Sequence, residues 1–374
     1  MLEPVLPSTT KNSRGARFGG LDALRGIASL LVVLYHYTSQ HASVIGPHNA
    51  KLWIDFNYPA LGVPIFFVIS GFVIFMTLER SRRARDFAIA RFARLYPAFV
   101  ACMLLTAACV WTTGFNPRHL GVVDFLVNFI LVVGLYGSVY VDPSYWTLTV
   151  EVCFYVGLGL FFFLVQHRCV SKEDDFAASL RNPLPYAAIA WVSFAVRERI
   201  AHGDSLFTPT ALAFDYLYAH LFVVGIALYG FSQKKIMVPG LLLVAAVAAG
   251  SMGEGGHFHA TAAIKILAFA AVVQFAMMIP VRPLAAAAAA FLGEISYPLY
   301  LLHQVIGFAA IRKLEAMDVN ANAAVVLVMM GMVVLAYLVH RIVERPAQRL
   351  IKRWQARTQV RSTSGVVSAS HPAA

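Results

Sequence analysis

Charge is the first thing this chain lacks. Of its 374 residues only 13% are Asp, Glu, Lys or Arg, about half the share found in soluble globular proteins. Acidic residues are the scarcer sign, 19 against 30 basic, and the formal net charge is +11. Cysteine is nearly absent. Cys102, Cys109 and Cys153 lie inside apolar runs and Cys169 just past one; with no CxxC pair, neither a zinc site nor a disulfide framework is indicated. No cleavable signal peptide stands out. Residues 1–20 are polar, with Lys11, Arg14 and Arg17, and the apolar run after them is long enough to remain as an anchor. His257 and His259, spaced HxH, read as solvated loop residues, so no metal is expected. Internal repeats are not visible either.

What the chain has in abundance is apolar length. Hydrophobic residues make up 59% of it, and the mean hydropathy of +0.68 places it in the polytopic membrane class. A spanning helix needs about 20 mostly apolar residues. Candidate runs lie near 22–40, 61–78, 95–114, 121–137, 146–166, 183–200, 211–230, 236–252, 261–280, 288–311 and 323–343. The connecting charges test that count of eleven. The N-terminus is basic. The stretch ERSRRARDFAIARFAR carries six Arg against Glu79 and Asp86, and the tail from Arg341 to Arg361 is more basic still.

Such clusters belong on the cytoplasmic side, and two cytoplasmic termini require an even number of spans. The weakest run is 121–137, which contains Asp124 and Asn128 between loops without basic clusters; it reads as re-entrant or as lying at the outer interface. Ten spans remain. Gln233-Lys234-Lys235 then falls inside, while GDSLFTP and MGEGGHFH fall outside. The expected fold is all-α, a bundle of about ten transmembrane helices with both termini cytoplasmic. Residues 1–20 form a cytoplasmic segment, 21–346 the membrane domain, and 347–374 a basic tail disordered toward its end. The six-alanine run at 285–290 is expected where helices approach closely. The positive charge is thus the cytoplasmic excess of a membrane protein, and no nucleic-acid partner is expected.

Ionisable side chains inside such runs are costly and mark function by default. Arg25 and His36 are eleven residues apart, which on a helix returns to within about 20° of the same face after a rise of about 16 Å. Arg25 lies near the cytoplasmic end, where snorkelling also explains it, and Asp22 one turn earlier is a pairing candidate. His36, between Tyr35 and Tyr37, falls beyond the midplane, where an imidazole suits proton transfer. Arg91 and Arg94, three apart, share a helix face and can clamp phosphates bidentately. In PSYWTLTVEVCFY, Trp146 fits the outer aromatic belt. Glu151 lies more than a turn deeper, with no obvious partner in its own helix. In ISYPLYLLHQ, Ser296, Tyr300 and His303 make one polar seam at i, i+4 and i+7. Glu344-Arg345-Pro346 closes the last span.

Together these stretches resemble the integral-membrane acyltransferase-3 family, bacterial O-acyltransferases of sugars and other hydroxyl compounds. The resemblance runs from about residue 20 to 346. It rests on Arg25-x10-His36, FFVISGF at 66–72, Arg91-x-x-Arg94, WTLTVE ending at Glu151, SYPLYLLH ending at His303, and Glu344-x-Pro346. It implies a cytoplasmic acyl-CoA donor, acetyl-CoA first, and a carbohydrate hydroxyl as acceptor, in the bacterial inner membrane among its lipids. The acceptor would be a cell-surface or exported polysaccharide or its lipid-linked precursor. Arg91, Arg94 and Arg25 would bind the donor. His36 would act as general base or as nucleophile, with Glu151 orienting it or the acceptor and Arg25 lining the way. His303, Ser296, Tyr300 and Trp146 would contact the acceptor. Some relatives carry an appended hydrolase-like domain, which this chain is not expected to use. The competing class is a proton-coupled transporter of a sugar or polysaccharide intermediate, which paired inverted halves would reveal.

Overall fold

The computed structural model describes residues 12–58, 61–81, 83–115, 119–168, 184–202, 218–232, 238–251, 259–279 and 283–368. Helix dominates, and no strand occurs among the described residues. Helix α1 (Asn12–Tyr35) continues through a π-turn (His36–Gln40) into the short α2 (His41–Val44). There follow α3 (Gly62–Arg80), α4 (Ala84–Thr113), α5 (Val122–Val127), α6 (Trp146–Arg168), α7 (Leu184–His202), α8 (Ala219–Ser232) and α9 (Val238–Ser251). Then come α10 (Ala260–Met278), α11 (Pro283–Glu315) and α12 (Ala321–Val339), and a second π-turn (His340–Glu344) leads into α13 (Arg345–Ser368).

The ends of these helices obey local chemistry. Helix α4 opens with Asp86 in its first turn, where a carboxylate meets the positive end of the helix dipole. It closes on Gly114 at φ +67°, a left-handed position suited to glycine. Six described helices are long and apolar enough to cross a membrane, within Gly62–Glu79, Ala84–Thr113, Pro143–Val165, Ala260–Met278, Ala285–Glu315 and Ala321–Gln355. Their outward faces carry large apolar side chains, among them Leu104, Val156, Leu160, Phe275 and Met330. Backbone satisfied within helices and apolar surface turned outward are what a hydrocarbon solvent demands. The chain is a multi-pass membrane protein.

Residues 121–137 behave differently. They break into α5, of 6 residues, and two 3₁₀ turns, Asn128–Ile130 and Val133–Tyr136. The two polar residues explain the break. Asp124 accepts from the backbone N–H of Gly121 at 3.2 Å and of Val139 at 3.0 Å. The Asn128 side chain donates to the carbonyls of Asp124 and Val139 and accepts from Val141 N–H. These bonds fold the segment back on itself in place of a continuous helix.

Helix α1 packs along α11 and α10, α3 along α8, and α11 also against α4 and α12. Glycine makes one of these seams. A Cβ at Gly71 of α3 would collide with the Phe222 carbonyl of α8, and one at Gly225 of α8 with the Val68 carbonyl of α3. The alanine run at 285–290 does not serve this purpose, contrary to expectation: of its six residues only Ala289 is buried. Helix α11 makes its close approach to α1 farther on, where Gly293 abuts Asp22. Helix α13 continues to Ser368, through most of the segment expected as a tail, and residues 369–374 lie outside the described residues. So does His257.

Candidate active site

Between α1, α3, α4, α6 and α11 lies a narrow cavity of about 90 Å³. Six of the residues singled out in the sequence line it: Arg25, Arg91, Arg94, Glu151, Ser296 and Tyr300. They come from four helices separated by up to 275 positions, so the fold has gathered what the sequence scattered.

The three arginines have distinct surroundings. Arg94 forms an ion pair with Glu344, whose side chain is fully buried in the second π-turn. Glu344 also accepts from His340 Nδ1 at 2.9 Å and from the Gln348 amide at 3.0 Å. Arg94 further stacks over the Tyr297 ring at 5.8 Å. Arg91 donates to the Thr77 hydroxyl at 3.0 Å and lies 5.9 Å over Tyr155, while its Nε is buried without a partner. Arg25 has neither hydrogen bond nor ion pair among the described residues, and Asp22 does not close on it. Arg91 and Arg25 therefore face the cavity with donors to spare, whereas Arg94 is largely committed to Glu344.

Glu151 has partners that the sequence reading missed. It accepts from the Ser70 hydroxyl at 2.9 Å and from the Tyr155 hydroxyl. Tyr155 sits four residues on in the same helix, the spacing at which helical neighbours meet. Ser70 is the one hydroxyl of the FFVISGF stretch, which was a usable signal. Glu151 does not hold His36. On α11, Ser296 donates to the Gly293 carbonyl at 2.8 Å, and the Tyr300 hydroxyl lies 3.1 Å from that of Thr147. Trp146 does not line the cavity; it packs on Phe67 and Tyr218.

Beyond Tyr300 the two histidines meet. The His36 and His303 rings are 4.6 Å apart between centroids and nearly perpendicular, at 86°; the His303 ring is 5.5 Å from that of Tyr300. His36 Nδ1 is 2.7 Å from the Val32 carbonyl, and His303 Nδ1 is 2.5 Å from the Tyr300 carbonyl. A carbonyl only accepts, so each Nδ1 carries the proton and each neutral ring keeps its lone pair on Nε2. His303 Nε2 is buried with no partner. Tyr37 braces the pair by donating to the His303 carbonyl at 2.8 Å. Its ring lies so close to Gly307 that a Cβ there would collide with it. A half-buried imidazole with a fixed tautomer and a free Nε2 is suited to taking a proton from a hydroxyl.

A family model described as an acyltransferase domain matches residues 18–341 of this chain. The chain belongs to the acyltransferase-3 family. It is similar to nodulation protein 10 of Rhizobium leguminosarum bv. viciae, with 32% identity over 175 residues, 41% of this chain and 46% of that protein. The chain thus spans less than half the length of that relative. It is also similar to acyltransferase MdmB of Streptomyces mycarofaciens, with 23% identity over 381 residues, 91% of this chain and 94% of that protein. No solved structure matches. The acyltransferase-3 membership and the acyltransferase relative make the chain a membrane acyltransferase, and the transporter reading is set aside.

Proposed function

We propose that this acyltransferase moves an acyl group, acetyl in the first place, from cytoplasmic acyl-CoA to a hydroxyl of a carbohydrate. The acceptor is a cell-surface or exported polysaccharide or its lipid-linked precursor. The protein sits in the bacterial inner membrane with ten spans and both termini cytoplasmic. The observation that carries the reading is the His36–His303 pair, with both Nδ1 protons tied to backbone carbonyls, beside a cavity lined by Arg25, Arg91 and Arg94.

In this scheme Arg91 holds donor phosphates at the inner mouth and Arg25 offers charge farther along the same cavity. Arg94, paired with Glu344, frames the mouth between α4 and the turn before α13. The thioester reaches the histidine pair past Tyr300. His36 Nε2 takes the proton of the acceptor hydroxyl as its oxygen bonds to the thioester carbonyl carbon. The tetrahedral intermediate then collapses, the carbon–sulfur bond breaks, and the leaving thiolate recovers the proton from His36. No group needs to be supplied beyond the two substrates.

The test uses purified protein with labelled acetyl-CoA and a lipid-linked oligosaccharide acceptor. Label is expected in an ester on the acceptor, and His36→Ala should lower the rate by about 10²–10⁴-fold, the usual contribution of a general base. A His36→Ala protein that inserts normally and transfers at near wild-type rate would remove His36 from the mechanism. Stable label on His36 when acceptor is omitted would replace the direct route with an acyl-imidazole.

A further inference from the structure

Past His36 the chain builds a second cluster that the reaction above does not use. The π-turn delivers His41, the first residue of α2, into the bundle; the loop after α2 brings in His48; and α11 ends on Glu315. The His41 and His48 rings stack with centroids 4.2 Å apart, and His48 Nδ1 lies 2.7 Å from Glu315 Oε1. His41 is 2% exposed, and the side chains of His48 and Glu315 are 5% and 11% exposed. One nitrogen or oxygen from each residue lies within 4.8 Å of those of the other two.

Two details of this cluster point to a missing positive centre. His48 Nε2 is 3.1 Å from the Tyr37 carbonyl, which only accepts, so Nε2 carries a proton. In the neutral ring the lone pair is then on Nδ1, facing a carboxylate oxygen that also offers only lone pairs. A proton or a metal ion must lie between them. Second, neither ring nitrogen of His41 makes a well-formed hydrogen bond in its buried site; the Gly46 backbone comes within loose hydrogen-bonding reach of the ring and can satisfy at most one of them. Buried polar atoms left so are rare and call for an explanation. A histidine whose other nitrogen donates to a backbone carbonyl is the usual arrangement of a metal ligand.

We propose that His41, His48 and Glu315 bind a divalent transition-metal ion, zinc in the first place. Two imidazoles and a carboxylate are a zinc donor set, and three protein ligands leave a fourth position open. Ligand bonds of about 2.0–2.2 Å draw tetrahedral ligand atoms to about 3.4 Å apart, so binding pulls the loop and α2 inward onto the end of α11. The ion is separate from the reacting groups. Phe308 stands between, its ring 5.5 Å from His41 and 6.4 Å from His36. Tyr37 connects the two sites, since its carbonyl holds His48 while its hydroxyl holds the His303 carbonyl. The metal thus braces the turn that carries His36.

The test uses the full chain in detergent, stripped with a chelator and then titrated with zinc chloride alone in a calorimeter. One equivalent per chain is expected. His41→Ala and Glu315→Gln should each weaken binding by at least about 100-fold, the upper end of what loss of a residue behind a ligand costs. The double variant His257→Ala/His259→Ala should bind as the wild type does. Cobalt in place of zinc should give the absorption of a four-coordinate site in the wild type and lose it in Glu315→Gln. Glu315→Gln keeps a hydrogen-bonding partner for His48, so its folding is checked by its melting temperature without metal. Wild-type protein that binds zinc no more tightly than the double variant His41→Ala/Glu315→Gln overturns the proposal and leaves an ion pair beside a stacked neutral imidazole. Binding lost only with His257 and His259 overturns it equally.

Discussion

The Arg94–Glu344 pair ties α4 to the turn before α13, and its removal is open to quantitative test. Glu344 is fully buried and Arg94 about a quarter exposed, so the carboxylate has no water to turn to when its partner is lost. Three donors share its two oxygens: Arg94 and Gln348 on Oε1, His340 Nδ1 on Oε2. Glu344→Gln keeps the shape. Its amide oxygen can still face Arg94 and Gln348, while its NH₂ group points at a ring nitrogen that now donates. The loss is one charge-assisted bond, about 1.5–3 kcal/mol, and one mismatched contact, about 1–3 kcal/mol. Glu344→Ala strands the guanidinium as well, and breaking a buried pair in this way costs about 3–5 kcal/mol.

A double-mutant cycle with Arg94→Gln separates the pair from its surroundings, with stability read from unfolding in mixed detergent micelles. The expected coupling is about 1.5–3 kcal/mol, the range for a hydrogen bond to a charged group. A functional corollary follows from the same geometry. Arg94 is committed to Glu344 whereas Arg91 retains a free Nε, so Arg91→Ala should raise the KM for acyl-CoA more than Arg94→Gln does. A coupling below about 0.5 kcal/mol, typical of an exposed pair, would refute the reasoning, as would a larger KM effect at Arg94 than at Arg91.

Other residues give sharper local tests. Tyr37→Phe removes the hydroxyl that braces the His303 carbonyl; the rate of acyl transfer should fall by roughly 3–10-fold, as for a lost hydrogen bond of about 0.5–1.5 kcal/mol, while acyl-CoA binding measured by calorimetry stays unchanged. Gly225→Val should prevent α3 and α8 from closing, since a Cβ there already meets the Val68 carbonyl; a loss of more than about 1–3 kcal/mol is expected, visible as a lowered melting temperature, whereas Gly240→Val, with open space at its Cβ position, should change it little. The double variant Arg91→Ala/Arg94→Ala should weaken acyl-CoA affinity in detergent, and unchanged calorimetric affinity would reduce both residues to topological charges.

Much of the fold was legible because a bilayer leaves a chain few choices. Apolar length constrains helices strongly when water is absent, and most of the described helices up to Val339 overlap the apolar runs, whereas α13 runs through the basic segment beyond them. That 121–137 forms no continuous helix was legible for the same reason, since Asp124 and Asn128 do not belong in a lipid-facing helix. The alanine run misled because small residues permit close packing without requiring it; the nearest approach fell to Gly293, one turn beyond.

At the site, sequence determined the residue types and their helical stripes: Arg25 with His36, Arg91 with Arg94, and Ser296, Tyr300 and His303. Periodicity within one helix is a local property and can be read locally. Which stripes face one another is not, and only the tertiary structure decided it. It brought His36 onto His303, gave Glu151 to Ser70 and Tyr155 in place of His36, and paired Arg94 with Glu344 across 250 positions. It also turned His41 toward His48 and Glu315 through a π-turn, whose extra residue shifts every side chain after it around the helix. Pairings between helices depend on rotation about each axis, which backbone hydrogen bonding leaves free and the packing of the whole bundle sets.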